Sequence, residues 1–394
     1  MVETIKKLFS ILYIIAVKIK HIIYRKHDTN RLIIIKVDAI GDYIIFRNFL
    51  RAIANSAQYK DHKITLVGNV LLQPLITDLD SDLIDTFIYI DHNPDKKDWN
   101  KLIREVNQNR YNTLINFNRS RTPTTELISF AAPARKKITI KGDNLRIKPT
   151  QKLFFNLMYS LIIDNPVNIE SEFKYNVFFT ERLIDAELTL NAPVMQLVGD
   201  KYKLNVPDEK FIAIAPAAAV ANRQLSNASL NKVVEFLLEK AYTICFIGSK
   251  ADLSLINNLI DQVPTPHSGK IINLAGQIPL NELPYVLNKS LGVICNDSGI
   301  YHMGLALNKP VLCFAGGGHF DRFVNYVKRD NVKICYEPMP CYNCNWHCVY
   351  EFDLAKPYPC IDAIKPDTIY QNIILLEQQW RIIDGHKEML NNDR

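Results

Sequence analysis

The sequence predicts an α/β protein of two Rossmann-like domains facing across a cleft, and three observations lead there. Apolar runs of strand length alternate with helix-length segments along most of the 394 residues. The alternation fades once, between Asn191 and Glu209, where prolines and charges replace periodicity and mark an interdomain connection. Asp, Asn and Gly residues gather where apolar runs end and helices begin, which in an open parallel sheet is the carboxyl edge where ligands collect.

In the first series, Leu32 to Val37 is a near-continuous apolar run, as suits a strand buried on both faces. It ends in Asp38-Ala39-Ile40-Gly41-Asp42, and a helix follows with Ile45, Phe49, Ala52 and Ile53 on one face. Asp42 therefore stands at a strand-to-helix turn, where Gly41 lets a ligand approach the backbone. Asp38 capping the helix and Asp42 answering its dipole account for the same residues, so two readings stand. Ile64 to Val67, Thr86 to Ile90 and Tyr111 to Phe117 read as further strands, with a helix from Asp98 to Asn109. The last strand opens into Asn118 to Pro123. There Arg119 and Arg121 either grip an anionic acceptor by their forked guanidinium groups or stand solvated.

The second series begins with the strand Phe211 to Ala215, the loop Pro216 to Ser226 and a helix to about Lys240. Thr243 to Ile247 and Ile271 to Leu274 follow, and then the stretch Leu287 to His319, which concentrates the chemistry. Two strands, Leu291 to Cys295 and Pro310 to Ala315, flank a helix-length segment that starts at Asn296-Asp297-Ser298-Gly299. A helix N-terminus there favours an anion such as a diphosphate. Gly316-Gly317-Gly318 ends the second strand and suits a nest of backbone amides. The plain alternative is that Asp297 caps and the glycines turn. Neither Gly41 nor Gly248 lies in a Gly-x-Gly-x-x-Gly run, which argues against a nicotinamide-dependent dehydrogenase.

Composition is that of a globular protein, 48% apolar and 22% charged, with no uncharged apolar run near the ~20 residues of a membrane span. The net charge of +6 is concentrated in residues 1 to 28, so nucleic acid is not an expected partner. Those residues read as an amphipathic helix, with Leu8, Ile11, Leu12, Ile15, Ile19, Ile22 and Ile23 opposite Lys7, Lys18 and Arg25. Such a helix suits an anionic membrane surface. Of eight cysteines, Cys245, Cys295 and Cys313 fall in strands; Cys341, Cys344, Cys348 and Cys360 crowd near the end. The spacing of these four suits either a structural zinc or reduced thiols packing a loop.

Four blocks carry a resemblance: Arg31 to Leu50 (RLIIIKVDAIGDYIIFRNFL), Ile214 to Ser226 (IAPAAAVANRQLS), Phe246 to Asp252 (FIGSKAD) and Leu274 to Gly318, in that order. The chain resembles glycosyltransferase family 9, the lipopolysaccharide heptosyltransferases and their relatives, which have the GT-B fold. The likeness runs from about Arg31 to Tyr370 and leaves the leader outside.

The resemblance implies inverting transfer of a heptose-like sugar from a nucleotide-diphosphate sugar, ADP-heptose-like, to a lipopolysaccharide core or other glycolipid or polysaccharide acceptor. No cofactor is needed for catalysis. By matching position Asp42 is the general base, with Gly41, Arg119 and Arg121 toward the acceptor. Arg223, Asp252, Asn296, Asp297, Ser298, Gly299, His302 and Gly316 to Gly318 stand toward the donor. His302 has a rival reading as a satisfied core histidine. Arg223 replaces a usual lysine, Asp252 a usual glutamate, and Ala217 the glycine of a Pro-Gly turn. These departures keep open an alternative, a catalytically silent GT-B-like protein that binds a sugar nucleotide or lipid in a glycan assembly complex. The expected organisation is a leader helix (1–28), an acceptor domain (29–195), a nucleotide-sugar domain (210–365) and a C-terminal helix (366–394) crossing back to the first domain. The expected location is cytoplasmic, on the inner membrane.

Overall fold

The structure, a computed structural model, describes residues 30–91, 94–199, 201–263 and 269–392. The leader read as an amphipathic helix lies outside the described residues. Among the described residues no helix is long and apolar enough to cross a membrane.

The first sheet is built from β1 (Arg31–Lys36), β2 (Lys63–Asn69), β3 (Thr86–Ile90), β4 (Tyr111–Asn116), β5 (Ala134–Ile140) and β6 (Leu161–Ile163). All pairs are parallel, in the order β3-β2-β1-β4-β5-β6. Ile33, Ile35, Val67, Ile88 and Leu114 form its core with Leu102 and Ile128 from the covering helices. The second sheet repeats the pattern with β7 (Phe211–Ala215), β8 (Thr243–Phe246), β9 (Ile271–Asn273), β10 (Gly292–Asn296), β11 (Val311–Phe314) and β12 (Val332–Cys335). Its order is β12-β11-β10-β7-β8-β9, again parallel throughout. In each sheet the order reverses beside the first strand, between β1 and β4 and between β7 and β10. Ligands of doubly wound sheets bind at that point.

The long helix Pro366–Asn392 lays Ile369, Ile373, Leu376 and Trp380 into the core of the second sheet. Gly292 makes this possible, because a Cβ there would collide with the Trp380 indole.

The chain divides into two compact units that are not contiguous in sequence. Unit one takes residues up to Ala39, Phe49–Asn168 and Phe178–Glu187; unit two takes Ile40–Asn48, Ile169–Val177 and Leu188–Arg394. Hydrogen bonds explain why Ile40–Asn48 joins unit two. The Asn48 side chain clasps the backbone of Val194 from both sides, donating to its carbonyl (2.9 Å) and accepting from its N–H (2.8 Å). Arg47 donates to the same carbonyl (2.9 Å), and the next residue, Met195, donates to the Ala306 carbonyl (2.8 Å).

Candidate active site

Within unit two, β10 delivers Asn296 to the point where the strand order reverses. Its side chain is fully buried, donating to the Pro216 carbonyl (2.6 Å) and accepting from the Leu225 N–H (2.9 Å). Asn296 thus pins both ends of the loop that follows β7, the loop carrying Arg223. Ser298 is the N-cap of the helix Gly299–Ala306, yet its hydroxyl makes no capping bond and is buried without a hydrogen-bond partner.

Gly299 and Gly41 let two backbones meet. A Cβ on Gly299 would lie 2.8 Å from Ile40 Cγ2 and 3.3 Å from the Gly41 nitrogen; a Cβ on Gly41 would lie 2.6 Å from His302 Cδ2. Asp42, in the first turn of the helix Ile40–Asn55, follows directly. That helix begins at Ala39 with no side-chain cap, and Asp38 instead pairs with Lys36 at 2.7 Å.

His302 is buried, and its Nδ1 shares a hydrogen bond with the Tyr326 hydroxyl at 2.8 Å. Burial pushes its pKa down to about 3, so the ring is neutral at physiological pH. Tyr326 stacks on Phe173, and Glu172 beside it accepts from Arg322 Nε (2.8 Å). Sequence reasoning missed Tyr326 and Glu172, because nothing local ties either to His302.

Asp297 is half-buried, and its pKa is pushed up to about 6 by burial, opposed by the charge of Arg223. The Arg223 guanidinium lies 4.1 Å over the Trp346 ring. Asp252 spends one carboxylate oxygen on Ser249, accepting from its N–H (2.7 Å) and its hydroxyl (2.8 Å).

The triple glycine differs from the open nest that the sequence suggests. Gly316, Gly317 and Gly318 are buried, and Cβ atoms on them would run into Trp346, Tyr342 and Trp346 respectively. The Gly317 N–H donates to Cys360 Sγ (3.4 Å), while the Gly317 and Gly318 carbonyls accept from the Asn343 (2.6 Å) and Asn345 (2.8 Å) N–H groups. Their missing side chains admit the cysteine-bearing segment. Cys341, Cys344, Cys348 and Cys360 are half-buried free thiols. Among the described residues no group of three or more His, Cys, Asp or Glu side chains is placed to hold a metal, so of the two readings of the spacing the structural zinc has no ligand set.

Over residues 99–346, well over half of its length, the chain matches the family described as glycosyltransferase family 9 (heptosyltransferase). The chain belongs to glycosyltransferase family 9. Within this family it is 41% identical over 80 residues to lipooligosaccharide heptosyltransferase 2 of Haemophilus ducreyi, covering 20% of this chain and 23% of that one. The match thus spans about a quarter of that relative's length. The family fold is plain in comparison with Escherichia coli ADP-heptose lps heptosyltransferase II (TM-score 0.68, 15% identity, 89% of this chain and 99% of that one). The same holds for E. coli heptosyltransferase WaaC with ADP (TM-score 0.64, 13% identity, 89% and 99%). As in those glycosyltransferases, two Rossmann-like units make a GT-B fold.

In unit one, the two arginines expected beside an acceptor part company. Arg119 is half-buried at the end of β4, and its carbonyl accepts from the Asp143 N–H (3.0 Å). Arg121 has no exposed surface: it pairs with Glu126 (3.2 Å), equally buried, and donates to Asn156 Oδ1 (2.7 Å). A guanidinium so enclosed holds the fold, and the expectation that it grips an acceptor is set aside.

Proposed function

We propose that this chain is an inverting glycosyltransferase moving a heptose-like sugar from a nucleotide-diphosphate sugar to a lipopolysaccharide core or related surface glycan. The acceptor is assigned to residues 29–195 and the donor to residues 210–365, on the cytoplasmic side of the inner membrane. The acceptor hydroxyl attacks the anomeric carbon, the bond from that carbon to the diphosphate breaks, and its electron pair leaves with the diphosphate. Asp42 takes the proton, which inversion requires on the face away from the leaving group. The first amides of Gly299–Ala306, the Ser298 hydroxyl and Arg223 receive the departing charge.

The observation that supports this reading best is the approach of Gly41 to Gly299 inside one compact unit. It brings the turn bearing Asp42 to an anion-favouring helix N-terminus. The test is Asp42→Asn assayed with ADP-heptose and a heptose-deficient lipopolysaccharide acceptor. Turnover should fall roughly 10²- to 10⁴-fold while ADP affinity holds. Unimpaired transfer would remove Asp42 from the mechanism.

A further inference from the structure

The helix Pro149–Asn156 in unit one is turned inside out. Amphipathic helices of soluble domains bury leucine and expose lysine. Here Lys152 is only 7% exposed, while Leu153 is 70% exposed and Leu157, one turn further on, 63%. Two more leucines open to solvent flank them, Leu145 at 48% and Leu161 on the edge strand β6 at 41%. Exposed leucines gathered in so short a segment, with Leu153 and Leu157 one helical turn apart, mark an interaction surface.

Lys152 explains how the inversion is maintained. Its ammonium donates to the carbonyls of Gly142 (3.1 Å) and Asp143 (2.8 Å) and to Asn144 Oδ1 (3.0 Å). Three acceptors satisfy the buried cation, so the helix can present its apolar side outward. The loop held by Lys152 is in turn fastened to the loop after β4. Asp143 donates its N–H to the Arg119 carbonyl (3.0 Å) and accepts from the Ser120 hydroxyl (2.7 Å). Gly142, at φ +65°, lies so close to the Arg119 carbonyl that a Cβ would not fit.

The charge beside the leucines is mostly positive. Lys141, Arg146 and Lys148 are exposed along the same loop, against an exposed Asp164 that pairs with Lys141 (3.4 Å) and the tethered Asp143. Leucines rimmed by cations fit the boundary between acyl chains and anionic headgroups. We propose that residues 145–161 form a membrane-docking surface that seats on an anionic phospholipid bilayer. It sets the loop of Asn118 to Pro123 at the lipid surface, where a lipid-borne acceptor would arrive. The surface is a different stretch of sequence from residues 1–28, and vesicle binding can be scored without sugar nucleotide, so its failure and that of the transfer reaction are distinguishable.

The experiment uses the full chain with vesicles of phosphatidylcholine and phosphatidylglycerol, against phosphatidylcholine alone, read by amide hydrogen exchange. Amides of 145–161 should exchange roughly tenfold more slowly on the anionic vesicles only. Leu153→Ser/Leu157→Ser should weaken vesicle binding by about tenfold or more, and Arg146→Glu/Lys148→Glu should abolish the preference for anionic lipid. Protection confined to residues 1–28, or undiminished binding by the double serine variant, would overturn the proposal. So would protection of 145–161 that grows with protein concentration in the absence of vesicles, which would place a second copy there instead.

Discussion

Gly41 lies against the ring of His302: a Cβ built on the glycine falls 2.6 Å from Cδ2 and 3.2 Å from Nε2. The ring cannot retreat easily, because it is buried and tied to Tyr326 at 2.8 Å. Gly41→Ala should therefore displace the turn that carries Asp42. Overpacking costs about 1–3 kcal/mol, part of which the better helix propensity of alanine offsets. Transfer should fall roughly tenfold or more, since small displacements of a reacting group are costly, with only a small drop in Tm. Adding His302→Ala should restore part of the loss by opening the space. Wild-type rates for the single alanine variant would show that the contact does not position Asp42.

A buried histidine and a half-buried aspartate in the same unit set opposing pH responses. Burial holds His302 near a pKa of about 3, so between there and 6.5 the unfolded chain binds more protons. Its contribution is whole above pH 6.5 and is lost on acidification. Asp297 is raised from 3.8 to about 6, so its contribution is whole below pH 3.8 and is lost as pH rises through 6. His302→Gln should make Tm fall less between pH 7 and pH 4, and Asp297→Asn should make it fall more. Each slope is limited to about 1.4 kcal/mol per pH unit. Thermal melts across that range decide the matter, and parallel curves for all three proteins would contradict it.

The strands most legible in the sequence are β1, β7, β10 and β11, buried on both faces, since near-continuous apolar runs betray them. β5 escapes because it begins Ala134-Arg135-Lys136-Lys137, three consecutive cations without the apolar run of a buried strand. Lys137 is nonetheless buried, its ammonium donating to the carbonyls of Ser129 (2.5 Å) and Phe130 (3.2 Å) at the end of the preceding helix. That compensation is tertiary and has no local signature. The site divides in the same way. Asp42 and Asn296 to Gly299 stand at strand ends, where the βα rule places them. The partners that define their surroundings, Tyr326 for His302 and Val194 for Asn48, come from segments that no spacing rule connects.

Arg121 and Glu126 form an ion pair with no exposed surface on either side. Burial pushes Glu126 up to about 7, opposed by Arg121, by the Tyr159 hydroxyl that donates to it (3.1 Å), and by Lys152. Arg121→Met removes one partner and should cost about 3–5 kcal/mol. The cost should be larger at pH 8 than at pH 5, where the stranded carboxyl takes a proton. Arg121→Met/Glu126→Leu should cost less than the two single changes together, a coupling that denaturant titrations measure. If Arg121 instead held the acceptor, the single variant would raise the acceptor KM with little change in stability.

Trp346 lies against Gly316 and Gly318 and under the Arg223 guanidinium, and the second contact can be tested apart from the first. Its indole N–H donates to His319 Nδ1 (3.2 Å), its ring packs on Gly316, Gly318 and the Tyr358 ring (5.2 Å between centroids), and the Arg223 guanidinium lies over it at 4.1 Å. A guanidinium stacked on an indole keeps its charge while losing freedom to wander, at a gain of about 0.5–2 kcal/mol. Under the proposed reaction, in which Arg223 receives the departing diphosphate, Trp346→Ala should therefore raise the donor KM while leaving the acceptor KM unchanged. Gly318→Ala approaches the same ring from beneath, where a Cβ would meet it directly, and should produce the same split. Trp346→Phe, which keeps an aromatic face under Arg223 but loses the indole donor, should recover most of the donor affinity. A rise in both KM values together, or no recovery by phenylalanine, would mean that the ring serves the loop alone.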